Sequence, residues 1–142
     1  MTIATILNGK GAEVISVTGD TKLGDVVRLL AERRIGAVPV IDGDAVVGIF
    51  SERDVIYALG SEGAAALDRP VRERMTSPVE SVAPEQPVLA ALSLMTRRRI
   101  RHLPVIEGQA VVGFVSIGDL VKYRIDKIEA EADAMRQYIQ TV

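Results

Sequence analysis

The chain has 142 residues, 48% of them hydrophobic and 25% charged, with 17 basic against 19 acidic side chains. That balance describes a soluble globular protein able to bury a proper core, and it excludes disorder, collagen and a coiled-coil rod. Cys and Trp are absent, aromatic residues are 4%, and His102 is the one histidine, which excludes disulfides, thiolate zinc, iron–sulfur clusters, a two-histidine metal site and a cysteine nucleophile.

With so few aromatics there is no stacking platform for single-stranded nucleic acid, and a net charge of −2 gives no global field for DNA or an anionic membrane. Residues 1–65 carry 6 basic and 9 acidic groups, and residues 66–142 carry 11 and 10, so the second half is the better place for an anionic ligand. The segment Met1 to Lys10 has no basic leader followed by an apolar stretch, and no run approaches the ~18 apolar residues of a membrane span. The expectation is a cytoplasmic protein with neither nucleic acid nor membrane as partner.

In chain order, Val14 to Val17 is a short β-branched run that predicts a strand. Leu23, Val26, Val27 and Leu30 follow helical spacing up to Arg34-Ile35, with Asp20 or Thr21 as N-cap. Val38 to Ile41 and Ala45 to Phe50 predict two strands joined by a tight turn at Asp42-Gly43. Ser51 then starts a helix whose inner side is read as Val55, Ile56 and Leu59. After a small-residue stretch ending in Pro70, the order recurs: Val79 to Val82, a helix through Val88, Leu92 and Met95 to Ile100, strands around Glu107-Gly108, and a helix from Ser116 with Leu120, Val121 and Ile125 inward.

The recurrence is an internal repeat at an offset of 65. Ten of sixteen positions between Pro39–Asp54 and Pro104–Asp119 are identical, and 17 of 41 when the comparison begins at Val14 and Val79. The chain is therefore read as α/β (α+β), with a first repeat over 1–62, a linker over 63–70, a second repeat over 71–124 and a helical extension over 125–142. Each unit is a strand-helix-strand-strand-helix with a three-stranded sheet. Two such units are expected to bury their sheets in a shared core, leaving clefts between them.

Both copies carry Gly, two apolar residues, Ser, two variable residues and Asp: Gly48 to Asp54 and Gly113 to Asp119. A strand end feeding a helix start presents free amides and a positive dipole end to a phosphate, and the Asp carboxylate can accept both hydroxyls of a ribose. The competing reading is a capping box, in which Ser and Asp serve only the helix start.

The repeat resembles the CBS domain, first recognised in cystathionine β-synthase, and the pair resembles a CBS tandem or Bateman module. The residues that carry this are Ile35 to Ile41, Ile100 to Ile106, Met75-Thr-Ser-Pro78 and the two Gly-x-x-Ser-x-x-Asp segments. The resemblance implies a regulatory module whose clefts bind an adenosine-containing ligand: AMP foremost, with ATP, ADP, NAD(H) or S-adenosylmethionine as alternatives. It assigns the ribose to Asp54 and Asp119, helix-start donors to Ser51 and Ser116, and adenine and phosphate contacts to Ile35, Gly36, Ala37, Ile100, Arg101 and His102. Arg53 and Thr76 complete the ligand set, with Lys10 standing where the first copy lacks a Met-Thr-x-Pro element.

Gly36-Ala37 are read as room for a purine, and Arg101-His102 as phosphate donors, which makes the two clefts unequal. No catalytic or metal-binding residue is assigned. The alternative function is a ligand-free interaction scaffold. Val121, Ile125, Ile128, Ala132, Met135 and Ile139 step by 4, 3, 4, 3 and 4, an a/d seam that suits a homodimer. A further, unidentified effector protein is expected to read ligand occupancy.

Overall fold

The computed structural model describes residues 1–141. Each copy holds one helix, an antiparallel hairpin and a second helix. In the first copy these are α2 (Leu23–Arg33), β1 (Ala37–Asp42), β2 (Ala45–Ser51) and α3 (Glu52–Glu62). The second has α4 (Val88–Arg98), β3 (His102–Glu107), β4 (Ala110–Ser116) and α5 (Ile117–Thr141). A short helix α1 (Ile3–Lys10) precedes them, and two 3-10 turns, Gly63–Asp68 and Val71–Glu73, connect them.

The duplication extends to irregularities. The hairpins share one register, pairing Ala37 with Ser51 and His102 with Ser116, and each shifts once, between Val40 and Ile41 and between Val105 and Ile106. Gly43 and Gly108 open the turns at φ of 64° and 65°, a backbone region that glycine enters without steric cost. Arg34 and Arg99, also 65 apart, end α2 and α4 in the left-handed conformation.

Four sequence expectations are corrected. The leading strands shrink to single parallel bridges, Val17 to Val40 and Val82 to Val105, so each sheet has two strands. The N-cap of α2 is Lys22, because Asp20 pairs with Arg72 and the Thr21 carbonyl accepts from the Val71 amide. On the helices after the Ser residues, Ile56, Leu59, Val121 and Ile125 are exposed, while Ala58 and Leu120 point inward. There are also two cores rather than a shared one.

The cores do not follow chain order. Ile3, Ile6 and Leu7 of α1 lie in the second core with Val82, Met95, Leu103 and Val115. Ala66 and Val71, from the connecting segment, lie in the first with Leu23, Val26, Val40 and Phe50. Each hairpin is thus covered by its own helices and by the segment preceding the other copy. Bare backbone makes room for this: a Cβ on Gly113 would meet Leu7 Cδ2 at 2.6 Å, and one on Gly48 would run into Met75.

Candidate functional site

The crossed packing builds both clefts from both copies. In the narrower cleft, about 110 Å³, Ser51, Arg53 and Asp54 of the first copy face Thr76, Ile100, Arg101 and His102. In the wider, about 420 Å³, Lys10, Ile35, Gly36 and Ala37 face Ser116, Asp119, Arg101 and His102. The wider falls within the roughly 300 to 1,000 Å³ typical of small-molecule sites and the narrower falls below it. Arg101 and His102 line both.

Asp54 is buried, at 8% exposure. Its Oδ2 accepts from the Ser51 amide (2.9 Å) and hydroxyl (3.2 Å), and its Oδ1 accepts from the Thr76 hydroxyl (3.0 Å). The Thr76 backbone is held by paired amide bonds to Ile49, which aims the hydroxyl. Asp119 is more open, its side chain 27% exposed. Its Oδ2 accepts from the Ser116 amide (2.9 Å) and from Lys10 Nζ (2.7 Å), while its own amide donates to Ser116 Oγ (3.2 Å). Lys10 Nζ also donates to the Phe114 carbonyl at 2.8 Å. Lys10 thus meets Asp119 as Thr76 meets Asp54. Oδ1 of Asp119 accepts no hydrogen bond among the described residues.

The helix starts differ from the phosphate cradle read in the sequence. The Ser51 and Ser116 amides are taken by the Asp carboxylates, and the Glu52 and Ile117 amides by the carbonyls of Gly36 and Arg101. Hydrogen bonds of the capping kind form at both, so most of the first-turn amides are already engaged, and the Arg53 and Gly118 amides are the ones without a partner among the described residues. Of the cationic side chains at the wider cleft, Lys10 is held by Asp119 and the Phe114 carbonyl, and Arg34 and Arg101, which make no ion pair among the described residues, are the groups open to an anion there.

The space expected above Gly36 is also partly filled, since a Cβ there would lie 2.5 Å from Glu52 Oε1 and 3.2 Å from the His102 ring. Glycine at this position lets Glu52 and the imidazole close over the backbone. His102 stacks on Phe114, centroids 5.9 Å apart. Sequence reasoning missed Glu52, Arg34 and Phe114 as lining residues. The signal for Phe114 was available, because strand alternation puts it on the side opposite buried Val115.

Burial holds the His102 imidazole below its ordinary pKa and Arg101 adds to this, against the opposing pull of Glu52 and Asp119. Unfolding therefore takes up a proton, so the stability contributed by neutral His102 is present above about pH 6.5 and lost as pH falls toward the folded value. The melting temperature should drop between pH 7 and 5.5 more steeply in wild type than in His102→Gln. Equal slopes in differential scanning fluorimetry would refute this. Burial pushes the Asp119 carboxyl up, but Lys10 and the Ser116 amide outweigh it and hold the group below the usual carboxylate range. Its contribution is lost only in more acid solution.

A duplicated helix-hairpin-helix module with two inter-copy clefts is the class that fold and geometry define. The CBS domain model matches residues 11–61 and 71–126. The chain belongs to the CBS domain family. It is 40% identical to a putative signal-transduction protein with CBS domains from Burkholderia ambifaria MC40-6, with a TM-score of 0.84 over 89% of this chain and 95% of that one. It is 32% identical, over 98% of its length and 72% of the relative's, to the CBS domain-containing protein CBSX3, mitochondrial, of Arabidopsis thaliana. The CBS domain pair of protein MJ0100, solved in complex with 5-methylthioadenosine and S-adenosyl-L-methionine, shares the fold at 22% identity and a TM-score of 0.80, covering 89% and 98% of the two chains. Among the described residues no helix is long and apolar enough to cross a membrane, and no cluster of metal-ligating side chains occurs.

Proposed function

We propose that this chain is a regulatory, non-catalytic module that binds an adenosine-containing ligand, AMP foremost with ATP, ADP or NAD(H) as alternatives, in the wider cleft first. The observation that carries this reading is the Asp119 carboxylate, ionised and with Oδ1 unengaged, at the wall of a cleft of about 420 Å³ that also presents Arg101 and His102. A ribose hydroxyl bonds Oδ1 directly, and the phosphate lies toward Arg101 and His102. Adenosine-type ligands in the MJ0100 pair support the ligand class.

Occupancy would alter how the two copies meet, since both contribute to each cleft, and an effector protein would read that change. The module works as a homodimer through α5. A ligand-free scaffold is the second reading, favoured by the satisfied Ser and Asp hydrogen bonds at both helix starts.

A thermal-shift series with AMP, ADP, ATP, NAD, NADH and S-adenosylmethionine decides between them. Ligand at a hundred times its Kd stabilises the folded chain by about 2.7 kcal/mol, a shift of several degrees at this size. If none of the six moves the transition, the scaffold reading stands.

A further inference from the structure

We infer that the exposed seam of α5 pairs with the same seam of a second copy as a parallel, in-register two-stranded coil, an orientation written in the charges that flank it. The inference rests on the homodimer proposed above and adds its geometry. Helix α5 is 25 residues long, about 37 Å. Leu120 is buried in its own module and Tyr123 packs on the second core. Val121, Ile125, Ile128, Met135 and Ile139 lie on another face, 42 to 66% exposed. Their spacing puts Ile125, Ala132 and Ile139 at a, and Val121, Ile128 and Met135 at d.

The flanking positions then follow. Arg124 and Glu131 occupy g, and Lys122, Glu129 and Arg136 occupy e. In a parallel, in-register pair each g residue meets the e residue five places on in the other chain. Arg124 then meets Glu129, and Glu131 meets Arg136, each opposite in charge and each doubled by the two-fold axis. The antiparallel arrangement that stacks the whole seam does the reverse. It sets Glu131 against Glu131, Glu129 against Glu129 and Lys122 against Arg136, all like charges.

Arg124 and Glu129 have no ion-pair partner in their own chain among the described residues. The pairs that Glu131 makes with Lys127 (3.7 Å) and Arg136 with Asp133 (2.7 Å) are surface pairs, cheap to exchange. The same seam with flanking charges of the other order would favour the antiparallel form, so orientation is a property of these side chains and not of apolar periodicity alone.

The chain contains no cysteine, so one introduced thiol reports on geometry without interference. In the full chain, Met135→Cys should give a covalent dimer on mild oxidation, because the two thiols face each other across the seam. Glu131→Arg should weaken dimerisation roughly tenfold in sedimentation equilibrium, and Arg136→Glu added to it should restore it. A wild type that stays monomeric at tens of micromolar overturns the dimer itself. A dimer in which Met135→Cys links only to Ile125→Cys chains, never to itself, overturns the parallel orientation while leaving dimerisation intact.

Discussion

Asp119→Asn is expected to weaken adenine nucleotide binding roughly ten- to hundredfold, the loss of a hydrogen bond to a charged acceptor worth about 1.5 to 3 kcal/mol. Asp54→Asn is expected to act on the fold instead. The two residues are equivalent by sequence, 65 apart in the same seven-residue segment, but their surroundings separate them. Asp54 is 8% exposed and spends both oxygens on Ser51 and Thr76. Removing its charge takes away a helix-start acceptor and the partner of Thr76, at a cost of about 0.5 to 2 kcal/mol to the unliganded chain. Asp119, which lines the wider cleft, shares one oxygen between Ser116 and Lys10 and leaves the other without a hydrogen bond among the described residues. Isothermal titration of each variant, paired with chemical denaturation, separates the two roles. Loss of binding in Asp54→Asn with binding intact in Asp119→Asn would move the primary site to the narrower cleft.

Ile3→Ala is expected to cost about 2 to 5 kcal/mol, a large share of the roughly 5 to 15 kcal/mol that holds a domain of this size. Ile3 is fully buried. It sits in the second core beside Leu7, whose methyl groups lie against the bare backbone of Gly113. Little can collapse into the space it leaves, because α1 is pinned at both ends. The Ile3 and Ala4 amides bond the carbonyls of Gln86 and Pro84, and Lys10 bonds Asp119. Hydrogen exchange should show protection lost first in β3 and β4, a hundred residues away in sequence. Loss confined to β1 and β2, the hairpin nearer in sequence, would contradict the crossed packing.

Much of this architecture is written in local pattern. The offset of 65 recurs in hairpin register, in the bulge after Val40 and Val105, and in left-handed Arg34 and Arg99, because each depends on neighbours within a few residues. The failures are equally physical. Val14 to Val17 looks like a strand, yet only Val17 reaches β1, since β-propensity measures fit to a pleated surface and cannot supply the partner. Helical spacing puts Ile56 and Val121 inward, yet both are exposed, because an apolar side chain on a helix does not say which neighbour covers it.

What the sequence by itself determined was a duplicated α/β unit, its hairpin turns, and the Ser and Asp that begin α3 and α5. Chemistry at those starts is short-range, so it is legible in seven residues. Only the tertiary structure decided that α1 belongs to the second core, that Lys10 meets Asp119 as Thr76 meets Asp54, and that Arg101 and His102 wall both clefts. Those facts join residues up to 109 apart, and pairing at that distance depends on which apolar faces pack against one another, which no local pattern states.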